Sequence, residues 1–207
     1  MSTTLDPLTS LPNRPALNDL LRRTVESGGT IALAMLDIDA FLDINTELGQ
    51  TRGDQVLRTL AALLSGFAPG QVYHLSGDEF AIALPNRSLE QAFLQVEALR
   101  IQIHNSDDFQ LPERRRLSIT IGVAQYPRDA KDASGLLQAA DAALSNAKES
   151  GRNQVSLPPN EEMVMKSCYY PASSIRKLKQ LAERLGRKES PLLREALDDL
   201  FRKYDVR

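Results

Sequence analysis

The sequence predicts an α/β domain with a central sheet, followed by a small helical domain. Three observations carry the prediction. Helical and strand periods alternate through the first 160 residues, residues 30–38 form a nearly continuous apolar run, and Leu157-Pro-Pro-Asn-Glu-Glu162 stops the pattern before two more amphipathic helices. Paired prolines forbid helix and favour an extended spacer. The chain is therefore expected as a domain at 1–157, a linker at 158–162 and a second domain at 163–207.

Each element follows from its own residues. After Leu11-Pro-Asn-Arg14, residues 15–26 have helical period. The apolar run at 30–38 is the pattern of a strand buried on both faces. Residues 39–48 and 53–66 read as helices, broken between Gly49 and Gly53. Short strands at 71–75 and 80–84 flank Ser76-Gly-Asp-Glu79 as a hairpin. Ser88 and Gln91 form a capping box that opens a long helix, with Leu89, Ala92, Phe93, Val96, Leu99 and Ile103 on one face. A strand at 116–125, a helix at 133–150 and a last strand at 153–156 complete the domain.

Composition excludes several classes. With 25 basic and 27 acidic residues, the chain does not coat nucleic acid by bulk charge. No apolar run approaches the ~20 residues that cross a bilayer, and the N-terminus has no secretory pattern. One cysteine, Cys168, forms no intrachain disulfide, and with only His74 and His104 beside it zinc is not expected. A cytoplasmic, soluble chain without membrane contact is the expectation. The charge is uneven: residues 1–160 carry 14 basic and 19 acidic side chains, whereas residues 161–207 carry 11 and 8. A basic appendage on an acidic body suggests a tail that seeks phosphate.

Several acids fall where a sheet is buried or just ending. Asp37 ends the apolar strand, Asp39 follows, and Asp78 and Glu79 sit at the hairpin tip. Acids beside apolar core are costly unless paired or holding a cation. Two of them on neighbouring strands suit a magnesium site for a nucleoside triphosphate. The spacing fits a second reading equally well, in which Asp37 caps the next helix and Asp78 only makes the turn.

Five motifs stand in order: Asp6-Pro-Leu-Thr-Ser-Leu-Pro-Asn-Arg14, Asp37-Ile-Asp-Ala-Phe-Leu-Asp-Ile-Asn45, Gly53-Asp54, Ser76-Gly-Asp-Glu-Phe80, and Ala140-Asp141 through Ala147-Lys148-Glu-Ser-Gly-Arg-Asn153. Together they closely resemble the GGDEF domain of diguanylate cyclases. The resemblance implies a palm-like, nucleotidyl-cyclase fold with a ferredoxin-like core. It implies condensation of two GTP into cyclic di-GMP and two pyrophosphates, with magnesium or manganese as cofactor. By the resemblance, Asp37, the Ile38 carbonyl and Asp78 hold the metal, and Asp78, Glu79 and Lys148 are catalytic. Asn45 and Asp54 read guanine, the backbone of Ser76 and Gly77 approaches the phosphates, and Lys148 and Arg152 contact the triphosphate. Spaced by four, Lys148 and Arg152 are expected on one helix face; favourable charge at a helix C-terminus is their alternative reading.

The chain departs from the family pattern in five places. Ser76 replaces the first signature glycine, and a side chain there crowds the backbone that approaches phosphate. Leu42 stands where lysine is usual, Gln50 where histidine is, and His74-Leu75 replaces an arginine. Phe67-Ala-Pro-Gly70 lacks both charges of the product-inhibition motif, so that inhibition is not expected. No sensor is expected ahead of Asp6, which leaves control to the C-terminal side.

Residues 163–207 read as a strand at 164–170 stopped by Pro171, then two helices. Ile175, Leu178, Leu181, Ala182 and Leu185 form the first apolar face, Gly186 ends that helix, and Ser190-Pro191 starts the second as N-cap and N1. Leu193, Ala196, Leu197, Leu200 and Phe201 line the second helix. About 45 residues bury too little alone, so a homodimer is expected. The stretch is similar to ribbon-helix-helix repressors, whose paired strands enter the DNA major groove. That similarity puts Met165, Ser167 and Tyr169 toward the groove and Lys188 and Ser190 on phosphate. None of the three groove residues is basic, and Arg176, Lys177 and Lys179 fit a solvated helix face. Three functions remain open: an active cyclase coupled through its tail, a catalytically weak domain that senses GTP or cyclic di-GMP for a DNA-binding regulator, and a tail that only dimerises.

Overall fold

The computed structural model describes residues 4–112, 115–158, 170–186 and 189–204. By internal contacts the chain separates into two compact units, Met1–Glu162 and Met163–Arg207. The apolar run takes the middle of the sheet in the first. β1 (Ile31–Ile38) pairs antiparallel with β3 (Glu79–Pro85) on one side and with β4 (Ile119–Tyr126) on the other. β2 (Val72–Ser76) pairs with β3, and β5 (Val155–Ser156) runs parallel to β4, giving the order β2-β3-β1-β4-β5.

Alternation along β1 divides the core into two layers. Ala32, Ala34, Leu36 and Ile38 enter one layer with residues of α2 (Phe41–Leu48), α3 (Gln50–Phe67) and α4 (Leu89–Asn105). Ile31, Leu33 and Met35 enter the other with residues of α1 (Arg14–Glu26) and α5 (Ala133–Glu149). Each fully buried Leu or Ile in these layers contributes ~2 kcal/mol of hydrophobic stabilisation. Capping sets the helix starts: Asn13 accepts from the Ala16 amide, Asp132 from Gly135, and Ser88 and Gln91 form the expected box. Gly122 brings α5 down onto β4, because a Cβ there would run into the Ala140 carbonyl and the Leu144 amide.

The structure corrects several expectations. α2 begins at Phe41 behind Ala40, which lies in the left-handed region at φ 54° without a side-chain cap. Asp37 therefore does not cap it. The break before α3 is confined to Gly49 (φ 84°), and α3 starts at Gln50 rather than 53. Gly53 lies inside α3 because a Cβ there would collide with the Asn45 side chain. Phe93 is half-buried beside the stripe of Leu89, Ala92, Val96, Leu99 and Ile103. β4 starts at Ile119 instead of 116, since Arg116 is turned back onto the Asn105 carbonyl and Asp107.

The second unit contains α6 (Ala172–Leu185), closed by Gly186 at φ 61°, and α7 (Glu189–Lys203). α7 starts one residue before Ser190, so Ser190 and Pro191 belong to its first turn, where a missing amide is tolerated. Ala182 and Leu192 are buried, whereas Ile175, Leu185, Leu193, Leu197 and Leu200 are exposed in the single chain. The strand expected at 164–170, with Met165, Ser167 and Tyr169, lies outside the described residues except for Tyr170, as do Lys188 and the Ser190 side chain.

Gly122→Ala is expected to destabilise the chain by ~2 kcal/mol, since helix backbone cannot yield as a side chain can. A urea-unfolding midpoint unchanged from wild type would contradict this packing.

Candidate functional site

β1 alternation decides where Asp37 points. As an odd-numbered residue it faces α5, whose last turn carries Lys148, and Lys148 Nζ lies 2.7 Å from Asp37 Oδ2. In the β1–β3 register Asp37 stands opposite Glu79, and the Ile38 amide donates to the Asp78 carbonyl at 3.4 Å. Asp37, Ile38, Asp78, Glu79 and Lys148 thus meet at one end of the sheet. Burial pushes the Asp37 carboxyl above its ordinary value, the Lys148 hydrogen bond opposes this, and the negative charges of Asp78 and Glu79 add to the rise. Asp78 does make the hairpin turn, so the turn reading holds for it alongside the clustering.

The cluster fits a divalent cation by its donor chemistry. Two carboxylates and a main-chain carbonyl are hard oxygen donors of the kind such a cation takes. Among the described residues no group of three or more His, Cys, Asp or Glu side chains is arranged to hold a metal ion.

The signature hairpin is held from both sides. Glu79 Oε2 accepts from Arg14 Nη2 at 3.0 Å and from the Ser76 hydroxyl at 3.2 Å. The Ser76 side chain is therefore engaged on Glu79, and Gly77 supplies the left-handed turn at φ 52°. Beneath them His74 is buried against Phe80, the rings 4.5 Å apart. Its Nε2 lies 2.9 Å from the Gly77 carbonyl and its Nδ1 lies 2.9 Å from Asp6 Oδ1. Burial pushes the Asp6 carboxyl up, but hydrogen bonds from His74 and from the Thr9 amide and hydroxyl outweigh that and hold it below its ordinary 3.8. Asp6 and Arg14, which the motif pattern carries without a role, thus support the hairpin.

Asn45 and Asp54 come together at the α2–α3 junction, where the Asn45 amide lies against Gly53 in the space a Cβ would fill. Both are half-buried. Lys148 and Arg152 do not share a helix face. α5 ends at Glu149, and Gly151, Arg152 and Asn153 (φ 122°, 61° and 45°) form a left-handed turn from which Arg152 is exposed. Leu42 is 76% exposed.

Comparison with known proteins accords with this geometry. The diguanylate cyclase GGDEF family model matches residues 3–154, and a ribbon-helix-helix model matches residues 169–205. The five-strand domain resembles the GGDEF domain of DgcB from Caulobacter crescentus, solved with c-di-GMP: 31% identity, TM-score 0.67, covering 75% of this chain and 96% of that one. It also resembles the active GGEEF domain of a diguanylate cyclase from Vibrio cholerae: 27% identity, TM-score 0.66, covering 73% and 99%. An uncharacterized membrane protein of Staphylococcus saprophyticus is 36% identical over 148 residues, covering 69% of this chain and 41% of the relative. One from Staphylococcus aureus is 33% identical over the same length and shares. This chain thus spans about two fifths of the length of the curated relatives it matches.

These relatives correct the expectation of a cytoplasmic, soluble chain, because they are named membrane proteins. Among the described residues no helix is long and apolar enough to cross a membrane.

The lowered Asp6 value fixes the sign of a pH effect. A carboxylate with a depressed folded value contributes stability above its unfolded value of 3.8 and loses it as the pH falls through the folded value. Asp6→Asn is expected to cost ~1 kcal/mol at pH 7, with the gap to wild type closing in acid below 3.8. Unfolding curves at both pH values check this; a constant gap would contradict it.

Proposed function

This chain belongs to the GGDEF, or diguanylate cyclase, family, and on that premise we propose that it condenses two GTP into cyclic di-GMP and two pyrophosphates. The observation that carries the reading is the convergence of Asp37, Asp78, Glu79 and Lys148 at one end of the sheet. The resemblance assigns Asp37, the Ile38 carbonyl and Asp78 to magnesium or manganese. When bound, the cation neutralises triphosphate charge and polarises the α-phosphate.

The chain's own residues do the rest. Asp54 accepts from the N1–H and 2-amino group of guanine, and the Asn45 amide adds a donor and an acceptor. Lys148 gives up Asp37 for phosphate oxygens, and Arg152 meets the same triphosphate from its exposed turn. The Ser76 and Gly77 backbone lines the approach of the phosphates, with the Ser76 hydroxyl turned onto Glu79. Asp78 and Glu79 stand where a carboxylate takes the proton of the attacking 3′-hydroxyl. The 3′-oxygen bonds to the α-phosphorus of the other nucleotide as the bond to pyrophosphate breaks.

Each domain holds one GTP, so turnover requires two domains face to face. A tail of the ribbon-helix-helix family, with Leu193, Leu197 and Leu200 exposed in the single chain, supports a homodimer. A linker at 158–162 then raises the local concentration of one catalytic domain around the other. In this proposal the same tail meets double-stranded DNA through Met165, Ser167 and Tyr169 in the groove and Lys188 and Ser190 on phosphate. One observation favours a second reading: exposed Leu42 offers no charge to phosphate where the family has lysine. On that reading the domain senses GTP or cyclic di-GMP and controls a DNA-binding regulator without turnover.

Incubating the full chain with GTP and magnesium is expected to yield cyclic di-GMP at a rate that falls more steeply than protein concentration on dilution. Asp78→Ala is expected to lower that rate by ~100-fold or more. GTP binding without product would leave the sensor reading. In gel shifts the chain is expected to retard duplex DNA with an affinity that drops steeply with salt; no retardation at low salt would leave the tail as a dimeriser.

A further inference from the structure

We propose that Asp39 is a positioning residue that, with Thr120, sets the turn carrying Arg152 and so the triphosphate contacts of Lys148 and Arg152. The inference deepens the nucleotide reading above and rests on it.

Asp39 lies two residues beyond Asp37, and both of its carboxylate oxygens are engaged. Oδ1 accepts from the Thr120 hydroxyl at 2.6 Å, and Oδ2 accepts from the Asn153 amide at 3.1 Å. The same amide also reaches Thr120 Oγ at 3.0 Å, and Thr120 is fully buried. Asn153 Oδ1 accepts from Arg100 Nη1 at 2.6 Å, and Arg100 is paired with Glu97. Arg152 and Asn153 are non-glycine residues with left-handed φ of 61° and 45°, which a chain adopts only where its surroundings impose it.

The segment from Lys148 to Asn153 is thus fastened at both ends to the end of one strand. Lys148 bonds Asp37, and Asn153 bonds Asp39. Between them the Arg152 amide and the Gln154 side chain both return to the Ala147 carbonyl, at 3.1 and 2.8 Å. Asp39 spends one oxygen on the turn and the other on Thr120, whose hydroxyl oxygen meets the same turn amide. Asn45 and Asp54, assigned to guanine, belong to the α2–α3 junction and make none of the hydrogen bonds named in this network.

The test uses the full chain with magnesium and compares calorimetric affinities for GMP and for the α,β-methylene analogue of GTP. Thr120→Val removes the hydroxyl at nearly constant volume, Thr120→Ser keeps it, and Asp39→Asn removes the charge and leaves one acceptor oxygen for two donors. Thr120→Val and Asp39→Asn are expected to weaken the analogue ~10-fold while leaving GMP unchanged, and Thr120→Ser is expected to keep the wild-type ratio. An unaltered ratio in both disruptive variants would overturn the positioning role alone. So would an equal loss of both ligands beside a lower melting temperature, which marks a merely structural role. Wild-type chain with no preference for the triphosphate would overturn the nucleotide reading and this inference with it.

Discussion

The ion pair between Lys148 and Asp37 is the contact on which the site depends. It joins the last turn of α5 to the end of the central strand at 2.7 Å. β1 is buried on both faces for nearly its whole length, and an acid carried to its end is costly unless something compensates the charge. Lys148 compensates it, and reaches it because Gly122 lets α5 lie directly on β4. Replace that glycine by any larger residue and the helix, its lysine and the turn behind it must all move.

From that contact the division of labour follows. The even-numbered side chains of β1 pack with α2, α3 and α4, and the odd-numbered ones pack with α1 and α5. The residues assigned to guanine belong to the α2–α3 junction, and the two cationic side chains assigned to phosphate belong to α5 and the turn after it. The strand end lies between the two sets, where Asp37, Asp78 and Glu79 gather. The hairpin that brings Asp78 and Glu79 there is itself held by Arg14 above and by His74 and Asp6 below. A loop ahead of the first helix thereby becomes part of the support of the site.

Much of this was legible in the residues, because periodicity and capping are local. The run at 30–38 became the central strand, and Ser88 with Gln91 capped α4. What was not legible depended on which atoms meet across the fold. The two glycines put the break between Gly49 and Gly53 and the next helix at 53–66, whereas α3 starts at Gln50 and Gly53 makes room there for the Asn45 side chain. Lys148 and Arg152 were placed on one helix face by their spacing, but Gly151 ends the helical path between them. The spacing of Asp39 from Asp37 does not disclose its partners, because Thr120 and Asn153 are distant in sequence. The cytoplasmic assignment rested on this chain's own hydropathy, which carries no information about the relatives' remaining length.

The central claim is that Asp37 and Asp78 clasp one divalent cation with a guanosine triphosphate across it. Crystals of the chain grown with manganese and the α,β-methylene analogue of GTP test it through anomalous scattering. The account predicts a manganese peak bonded to both carboxylates and to the nucleotide's phosphates, with Lys148 turned from Asp37 to phosphate. A bound nucleotide with its manganese away from those carboxylates, or with Lys148 still on Asp37, would contradict it.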